Sequence, residues 1–216
     1  MILGSHNSLS YLPPKRWWMK PFAFMARCQR VDYTRQYMLG TRLFDLRVWF
    51  DKDGNIQVRH GRMLYDIDQD GIRKFLNALE QMSGWFPEDG CHCRIILEED
   101  AHASRMPYAN ISEELFRGFC LKAQMMYPHV KFFGGNRKFD WRVLYDFGEG
   151  SEVSLDDKYS STTSLFRSKK RWLAVLDDLF PYLYAKTHNL KNTREGTDKD
   201  CLFIDFVDIQ YRAVKI

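Results

Sequence analysis

The sequence predicts an α/β protein built on a largely parallel sheet, with polar residues gathered at strand ends. Short apolar segments of strand length alternate with amphipathic segments of helix length along the 216 residues. Polar or charged side chains directly follow several apolar segments, where open α/β sheets and (β/α) barrels place their functional sites. The helices are too few for a regular eight-fold barrel, so any barrel is compact or irregular.

The bulk properties are those of one globular domain, which we expect to span residues 1–216. Hydrophobic residues make up 45% of the chain and charged residues 28%, as in folded rather than disordered proteins. No apolar run approaches the roughly 20 residues of a membrane-spanning helix, and no signal peptide is visible at the start. The dispersed basic residues do not favour nucleic-acid binding. We expect a monomer that is cytoplasmic or peripheral to a membrane.

The first predicted strand ends at a histidine. Residues Met1 to Ser5 are mostly apolar and run into His6-Asn7-Ser8, which places His6 at the rim of the sheet. The alternative is that Asn7 or Ser8 caps a helix and that His6 is incidental.

The segment after this strand mixes basic and aromatic residues. Lys15 and Arg16 adjoin Trp17 and Trp18, and the preceding Pro13-Pro14 excludes a strand interior. This composition favours an interfacial or lid element, because tryptophan is stable at a headgroup boundary. Packing of both tryptophans in the core is the alternative.

Residues 40–61 predict a β-hairpin that carries three polar groups to one place. The first strand runs from Thr41 to Phe50, and the Asp-Gly and Gly-Asn pairs that follow favour a tight turn. Asp45 and Arg47 are two residues apart and share a face of the strand. The second strand ends at His60, which the hairpin brings beside them. A carboxylate, a guanidinium and an imidazole in one place indicate a site that handles a phosphate group. The alternative is a surface salt bridge beside an incidental histidine.

The remaining elements alternate between helix and strand. Two acids stand out: Glu98 directly follows a strand, and Asp205 lies within an apolar strand, where it needs a partner because burying a lone carboxylate is costly. If the strands are parallel, Glu98 reaches the same rim as His6 and Arg47. Helices are predicted at Asp68–Gly84, Ile111–Tyr127 and Ser164–Lys186, and strands at Arg94–Leu97, Val130–Phe133, Trp141–Tyr145, Glu152–Tyr159 and Cys201–Val207.

The five cysteines predict neither disulfides nor a metal site. Their number is odd and their spacing unpaired, which favours a reducing environment. Alternation along a strand points Cys91 and Cys93 away from His92, and no second pair of ligands follows at zinc-site spacing.

Several of these segments, in this order, resemble the phosphatidylinositol-specific phospholipase C superfamily, and its bacterial, metal-independent branch most closely. The segments are SHNS, KRWW, QRVDYTRQYMLGTRLFDLR, VRHG, LDDKY and FIDFVD, and they are distributed over most of the chain, from Ser5 to Asp208. The resemblance implies a compact, distorted (β/α) TIM-type barrel and no cofactor. It also implies a phosphoric diester hydrolase or lyase in which the inositol 2-hydroxyl attacks phosphorus, leaving a cyclic inositol phosphate.

The resemblance also implies roles for individual residues. His6 matches the general base, His60 the general acid, and Asp205 the acid that orients His6. Arg47 matches the arginine that stabilises charge on the phosphate. One departure concerns Asn7, which stands where the bacterial enzymes have aspartate; we expect Asp45 to supply the missing negative charge.

Further residues are assigned to substrate and membrane. Asp157 and Tyr159 match positions that line the inositol pocket, and Arg137 is the candidate for the pocket arginine. Glu98 is assigned to the same substrate site. Trp18 matches an interfacial tryptophan, and we group Trp17 with it.

The eukaryotic branch of the superfamily uses calcium where the bacterial branch uses the arginine. Asn7, Asp45 and Glu98 resemble three calcium-ligand positions, but Arg47 occupies a fourth, and a fixed cation there would repel Ca²⁺. Metal independence is therefore expected. The expected partner is a phospholipid or another phosphodiester, with transient membrane contact. Two alternatives remain: cleavage of a different, soluble phosphodiester, and non-catalytic binding of a lipid headgroup.

Overall fold

A sheet of ten strands forms the centre of the protein. The computed structural model of the chain describes residues 2–85, 90–98, 109–136, 143–154, 159–161, 180–186, 189 and 201–209. The strands are Ile2–Ser5 (β1), Leu43–Phe50 (β2), Ile56–His60 (β3), Met63–Leu64 (β4), His92–Leu97 (β5), Lys131–Asn136 (β6), Val143–Asp146 (β7), Ser151–Ser154 (β8), Tyr159–Ser161 (β9) and Cys201–Ile204 (β10). The α-helices are Ala23–Ala26 (α1), Tyr33–Met38 (α2), Gln69–Trp85 (α3) and Ala109–Met126 (α4), and Trp17–Phe22 is a 3₁₀ helix.

The sheet is largely parallel, as the sequence predicts. Its order is β8-β7-β6-β5-β2-β1-β10-β9, and every pair from β6 to β9 in that order is parallel. β7 and β8 continue it antiparallel beyond β6, and β3 pairs antiparallel with β2 as the predicted hairpin. Within the described ranges β8 and β9, the two edge strands, do not pair, so the sheet does not close into a complete barrel.

The core lies between the central strands and the two long helices. α3 buries a stripe at three- and four-residue steps, which is the face that the sequence pattern predicts. The stripe packs against residues of β2 and β5 in the largest hydrophobic cluster. The buried residues of α3 are Ile72, Phe75, Leu76, Leu79, Met82 and Ser83.

Among the predicted strand boundaries that are wrong, two lie at the carboxyl ends of β6 and β10. The strand predicted to end at Phe133 continues through Gly134 and Gly135 to Asn136. Gly134 serves packing rather than a turn, because a Cβ atom there would lie 2.5 Å from Cε2 of Phe147. The strand predicted at Cys201–Val207 ends at Ile204. The predicted helix Ser164–Lys186 falls mostly outside the described residues, of which 181–186 are helical.

The parallel register brings the ends of three strands, β1, β5 and β10, to one rim. Ser5 pairs with Ile204 of β10 and with Phe44 of β2, and Arg47 pairs with Ile96 of β5. The residues that follow β1, β5 and β10 therefore emerge beside the second half of β2. This rim carries the candidate site.

Candidate active site

His6 and Asp205 follow adjacent parallel strands and contact each other. The backbone nitrogen of His6 donates to the carbonyl of Ile204 at 3.1 Å, and Nδ1 of His6 lies 2.7 Å from Oδ1 of the buried Asp205. Because a carboxylate accepts, Nδ1 carries the proton and Nε2 keeps its lone pair. This is the tautomer in which a histidine can act as a general base.

Arg47 points its guanidinium at the same histidine. Its Nη2 lies 2.7 Å from Nε2 of His6, and because arginine only donates, Nε2 accepts. Nε of Arg47 donates to Oδ2 of Asp45 at 3.0 Å, and Nη1 donates to Oε2 of Glu98 at 3.1 Å. Two buried carboxylates thus fix the guanidinium in place.

Asp45 is the centre of this charge network. Its Oδ1 accepts from Nε of Arg94 at 2.9 Å, and its Oδ2 also accepts from the backbone nitrogen of Asn7 at 2.9 Å. Complete burial would raise the pKa of Asp45, but the charges of Arg94, Arg47 and His6 outweigh burial and hold that pKa well below its usual range. Asp45 is therefore ionised.

His60 reaches the site from the second strand of the hairpin. Its ring centroid lies 5.4 Å from that of His6, with the two planes nearly perpendicular. Nδ1 of His60 lies 3.0 Å from the carbonyl oxygen of Ala26, which also accepts from the hydroxyl of Tyr65. Burial, followed by the charges of Arg47 and His6, lowers the pKa of His60 to about 4. In the free protein His60 is neutral and donates from Nδ1 to Ala26.

Gln29 joins the two strands that carry His6 and Asp205. Its buried amide nitrogen donates to the carbonyls of His6 at 3.1 Å and Ile204 at 2.9 Å. Its Oε1 accepts from the backbone nitrogen of Val207 at 3.2 Å. These bonds fix the backbone on both sides of the His6–Asp205 pair.

The structure brings together seven of the residues predicted for the site, namely His6, Asn7, Asp45, Arg47, His60, Glu98 and Asp205. Glu98 is buried behind Arg47, and its Oε1 also accepts from the backbone nitrogen of Gly61 at 3.0 Å. Asn7 is fully buried with a positive φ of 44°. Within the described residues its side-chain amide has no hydrogen-bond partner.

Tyr159 is not brought to this group. The β9–β10 register pairs it with Cys201, at the amino end of β10, whereas Asp205 follows the carboxyl end. The sequence predicts one strand over Glu152–Tyr159, whereas β8 ends at Ser154 and β9 begins at Tyr159. The assignment of Tyr159 to an inositol pocket stays a prediction. Asp157 and Arg137 lie outside the described residues.

Sequence reasoning missed three residues at the site: Cys28, Gln29 and Arg94. Arg94 had a readable signal, because it lies in an apolar strand and needs a partner as much as Asp205 does. Cys28 and Gln29 follow a segment without periodicity. Their backbone nitrogens donate to Oγ of Ser10 at 3.0 Å and 2.8 Å, a contact that no pattern in the sequence indicates.

An exposed aromatic patch, comprising Trp17, Trp18, Phe22, Phe24, Met25 and Phe180, adjoins the site. Trp17 is 79% exposed, so the alternative of core packing is wrong for it. The rings of Phe24 and Phe180 stack at 6.0 Å. The patch is joined to the site by Ala26, whose carbonyl contacts His60. No helix among the described residues has the length and apolar character to cross a membrane.

We expect Asp45→Asn to lower the free energy of unfolding by about 3–5 kcal/mol, because it removes the buried carboxylate that pairs with Arg94 and leaves Arg47 with Glu98 alone. Urea denaturation at neutral pH measures this loss. The pKa of Asp45 is lower in the folded than in the unfolded chain, so its contribution is complete above about pH 4 and disappears as the pH falls further. The difference between the two proteins should therefore shrink in acid.

Asp70→Asn is the matched control for this substitution. Asp70 pairs with Arg73 and Lys74 on the exposed face of α3, so its loss should leave the urea midpoint unchanged. If Asp45→Asn had the same urea midpoint as the wild-type protein, the role assigned to the buried network would be contradicted.

Comparison with known proteins finds relatives by structure alone. No family model and no curated protein matches the chain. A variant of the phosphatidylinositol-specific phospholipase C from Staphylococcus aureus is 16% identical, with a TM-score of 0.61 over 95% of this chain and 84% of that one. A second structure of that enzyme is 17% identical, with a TM-score of 0.55 over 95% and 85%.

A third structure of the S. aureus enzyme, concerned with modulation of its membrane binding, aligns over less of the molecule. It is 21% identical, with a TM-score of 0.45, and the match covers 62% of this chain and 46% of that one. The two longer alignments confirm the resemblance at the level of the fold. The chain has the fold of the bacterial phosphatidylinositol-specific phospholipases C.

Proposed function

We propose that the protein is a phosphodiesterase of the phospholipase C type that cleaves phosphatidylinositol-type lipids. One observation carries this proposal. Asp205 keeps His6 in its basic tautomer, Arg47 donates to the lone pair of His6, and a second histidine lies 5.4 Å away. A base, an acid and a fixed cation are the groups needed to transfer a phosphoryl group within one molecule.

The first step uses His6 and Arg47. The inositol 2-hydroxyl gives its proton to Nε2 of His6 while its oxygen attacks phosphorus. Nη2 of Arg47, which neither Asp45 nor Glu98 holds, exchanges His6 for a non-bridging phosphate oxygen as its hydrogen-bond acceptor. Asp205 stabilises the imidazolium that forms on His6.

The second role belongs to His60. Its Nε2 gives a proton to the diacylglycerol oxygen as the bond to phosphorus breaks, yielding diacylglycerol and a cyclic inositol phosphate. Free His60 is neutral, with a pKa of about 4. The negative phosphodiester raises this pKa when it binds, because a nearby opposite charge favours the protonated ring. Substrate binding therefore promotes protonation of His60, the general acid.

We infer that this chemistry needs no calcium. The expected ligands Asp45 and Glu98 already hold Arg47, and the second oxygen of each accepts another N–H. Calcium requires six to eight oxygen ligands, and the unpaired amide of Asn7 supplies one. The guanidinium supplies the positive charge instead.

We also propose that the aromatic patch docks the protein on a membrane surface. Its apolar side chains are exposed on short helical turns, and the flanking Lys15, Arg16 and Lys20 are not buried. Aromatic rings enter the headgroup region while basic groups remain in the anionic surface layer. Because Ala26 follows the patch directly, docking would place His6 and His60 near the lipid phosphate.

The main test is the incubation of the protein with phosphatidylinositol in EDTA, followed by phosphorus NMR. We expect cyclic inositol phosphate, and we expect His6→Ala and His60→Ala each to lower kcat by about 10²–10⁴-fold. His129→Ala is the matched control, since His129 is exposed and paired with Glu80.

Three results would contradict this proposal. Turnover only with added calcium contradicts metal independence. Turnover of a soluble aryl phosphodiester without any cleavage of the lipid favours the soluble-substrate alternative. Lipid binding without turnover of either substrate favours the non-catalytic alternative.

The pH profile tests the role of His60. The acid must be protonated, so kcat/KM should fall as the pH rises above the free-protein pKa of about 4. In the complex with substrate that pKa is higher, so the alkaline limb of kcat should lie at higher pH than that of kcat/KM. If the alkaline limbs of kcat and kcat/KM lie at the same pH, substrate does not raise the pKa of His60, and this role for the substrate is contradicted.

Vesicle sedimentation tests the patch. The double substitution Trp17→Ala/Trp18→Ala should weaken binding to anionic vesicles by about tenfold or more, since each ring contributes buried apolar area. Trp85→Ala is the matched control, because Trp85 is 70% exposed at the end of α3. An equal loss in both proteins, or none in either, would refute docking through the patch.

A further inference from the structure

Three side chains that bind transition metals converge at the rim. His6, Cys28 and His60 each offer one ligand atom, and these atoms all lie within 4.8 Å of one another. Sγ of Cys28 is 3.7 Å from Nδ1 of His60. Two of the three are the proposed base and acid, whereas the thiol has no role in the proposed reaction.

The partners of the two histidines are those expected behind a metal ligand. Metal-binding histidines commonly donate their second ring N–H to a carboxylate or a backbone carbonyl. Nδ1 of His6 contacts Asp205 and Nδ1 of His60 contacts the carbonyl of Ala26. Zn–N and Zn–S bonds of about 2.0 Å and 2.3 Å place tetrahedral ligand atoms roughly 3.3–3.6 Å apart, so the three ligand atoms, which lie within 4.8 Å of one another, move closer together on binding.

The surrounding charge also favours a cation. Asp45, Glu98 and Asp205 provide three carboxylates, against the two guanidiniums of Arg47 and Arg94. The carboxylates therefore exceed the guanidiniums by one negative charge. A thiolate at Cys28 raises this excess to two, which one divalent cation neutralises. Arg47 has to leave Nε2 of His6, which is the same movement that the proposed reaction requires.

We propose that His6, Cys28 and His60 bind a thiophilic divalent cation of the zinc class and that this cation inhibits the protein. Thiolate and imidazole ligands select zinc and its neighbours over calcium and magnesium. The bound cation occupies the lone pair of His6 and immobilises His60, so neither can exchange a proton with substrate. Binding is independent of the proposed function, and only the inhibition rests on it.

Titration of the full chain with Co²⁺ tests binding directly. We expect a thiolate-to-cobalt absorption band in the near ultraviolet that Zn²⁺ displaces. Cys28→Ala and Cys28→Ser should abolish the band, and His60→Ala should weaken cobalt binding by tenfold or more. Cys120→Ala, which removes another buried thiol, should keep it.

The wild-type titration decides the proposal even if a variant does not fold. Absence of a thiolate band in the wild type would overturn the site, and so would an unchanged band in Cys28→Ala.

Inhibition is measured against lipid cleavage at increasing Zn²⁺. The zinc concentration that halves the rate should rise at least tenfold in Cys28→Ala relative to Cys120→Ala, each compared with its own metal-free rate. Equal sensitivity of the two variants would overturn the inhibitory role. A protein that binds cobalt through Cys28 but cleaves no phosphodiester would refute the proposed function and leave the site intact.

Discussion

The buried carboxylate of Asp45 is the contact on which the site depends. It binds Arg47 and Arg94 together, and its third hydrogen bond holds the backbone of Asn7, one residue from His6. A single carboxylate thus links β1, β2 and β5 at the rim of the sheet. A buried ion pair of this kind is costly to break because either partner alone is left charged in an apolar interior.

This network explains how Arg47 is supported although Asn7 is neutral. Asp45 and Glu98 each hold one side of its guanidinium, which leaves Nη2 directed at His6. The aspartate that the bacterial enzymes have at the position of Asn7 is therefore not needed to fix the arginine. The amide of Asn7 is left with a backbone link to Asp45 and an unpaired side chain within the described residues.

The sequence predicted the parts of the site that follow from regular geometry. Alternation along β2 puts Asp45 and Arg47 on one face, and parallel pairing puts His6 and Glu98 at one rim. The strand pattern places Asp205 inside a strand, whereas it follows the end of β10. The environment of His60 was not predictable, because it comes from the carbonyl of Ala26 and from Cys28, whose backbone nitrogen donates to Ser10. The end of β6 was not predictable, because a glycine that admits a neighbouring ring within a strand looks the same in sequence as one that follows the end of a strand.

We propose that the fixed guanidinium of Arg47, and not a metal, carries the positive charge at the phosphate. This proposal is tested most directly by measuring phosphatidylinositol cleavage by Arg47→Ala in EDTA, with and without free guanidinium. We expect a loss in kcat of about 10²–10³-fold, as for other groups that stabilise transition-state charge, and partial recovery with guanidinium but not with calcium. Wild-type kcat in Arg47→Ala, or recovery with calcium alone, would contradict it.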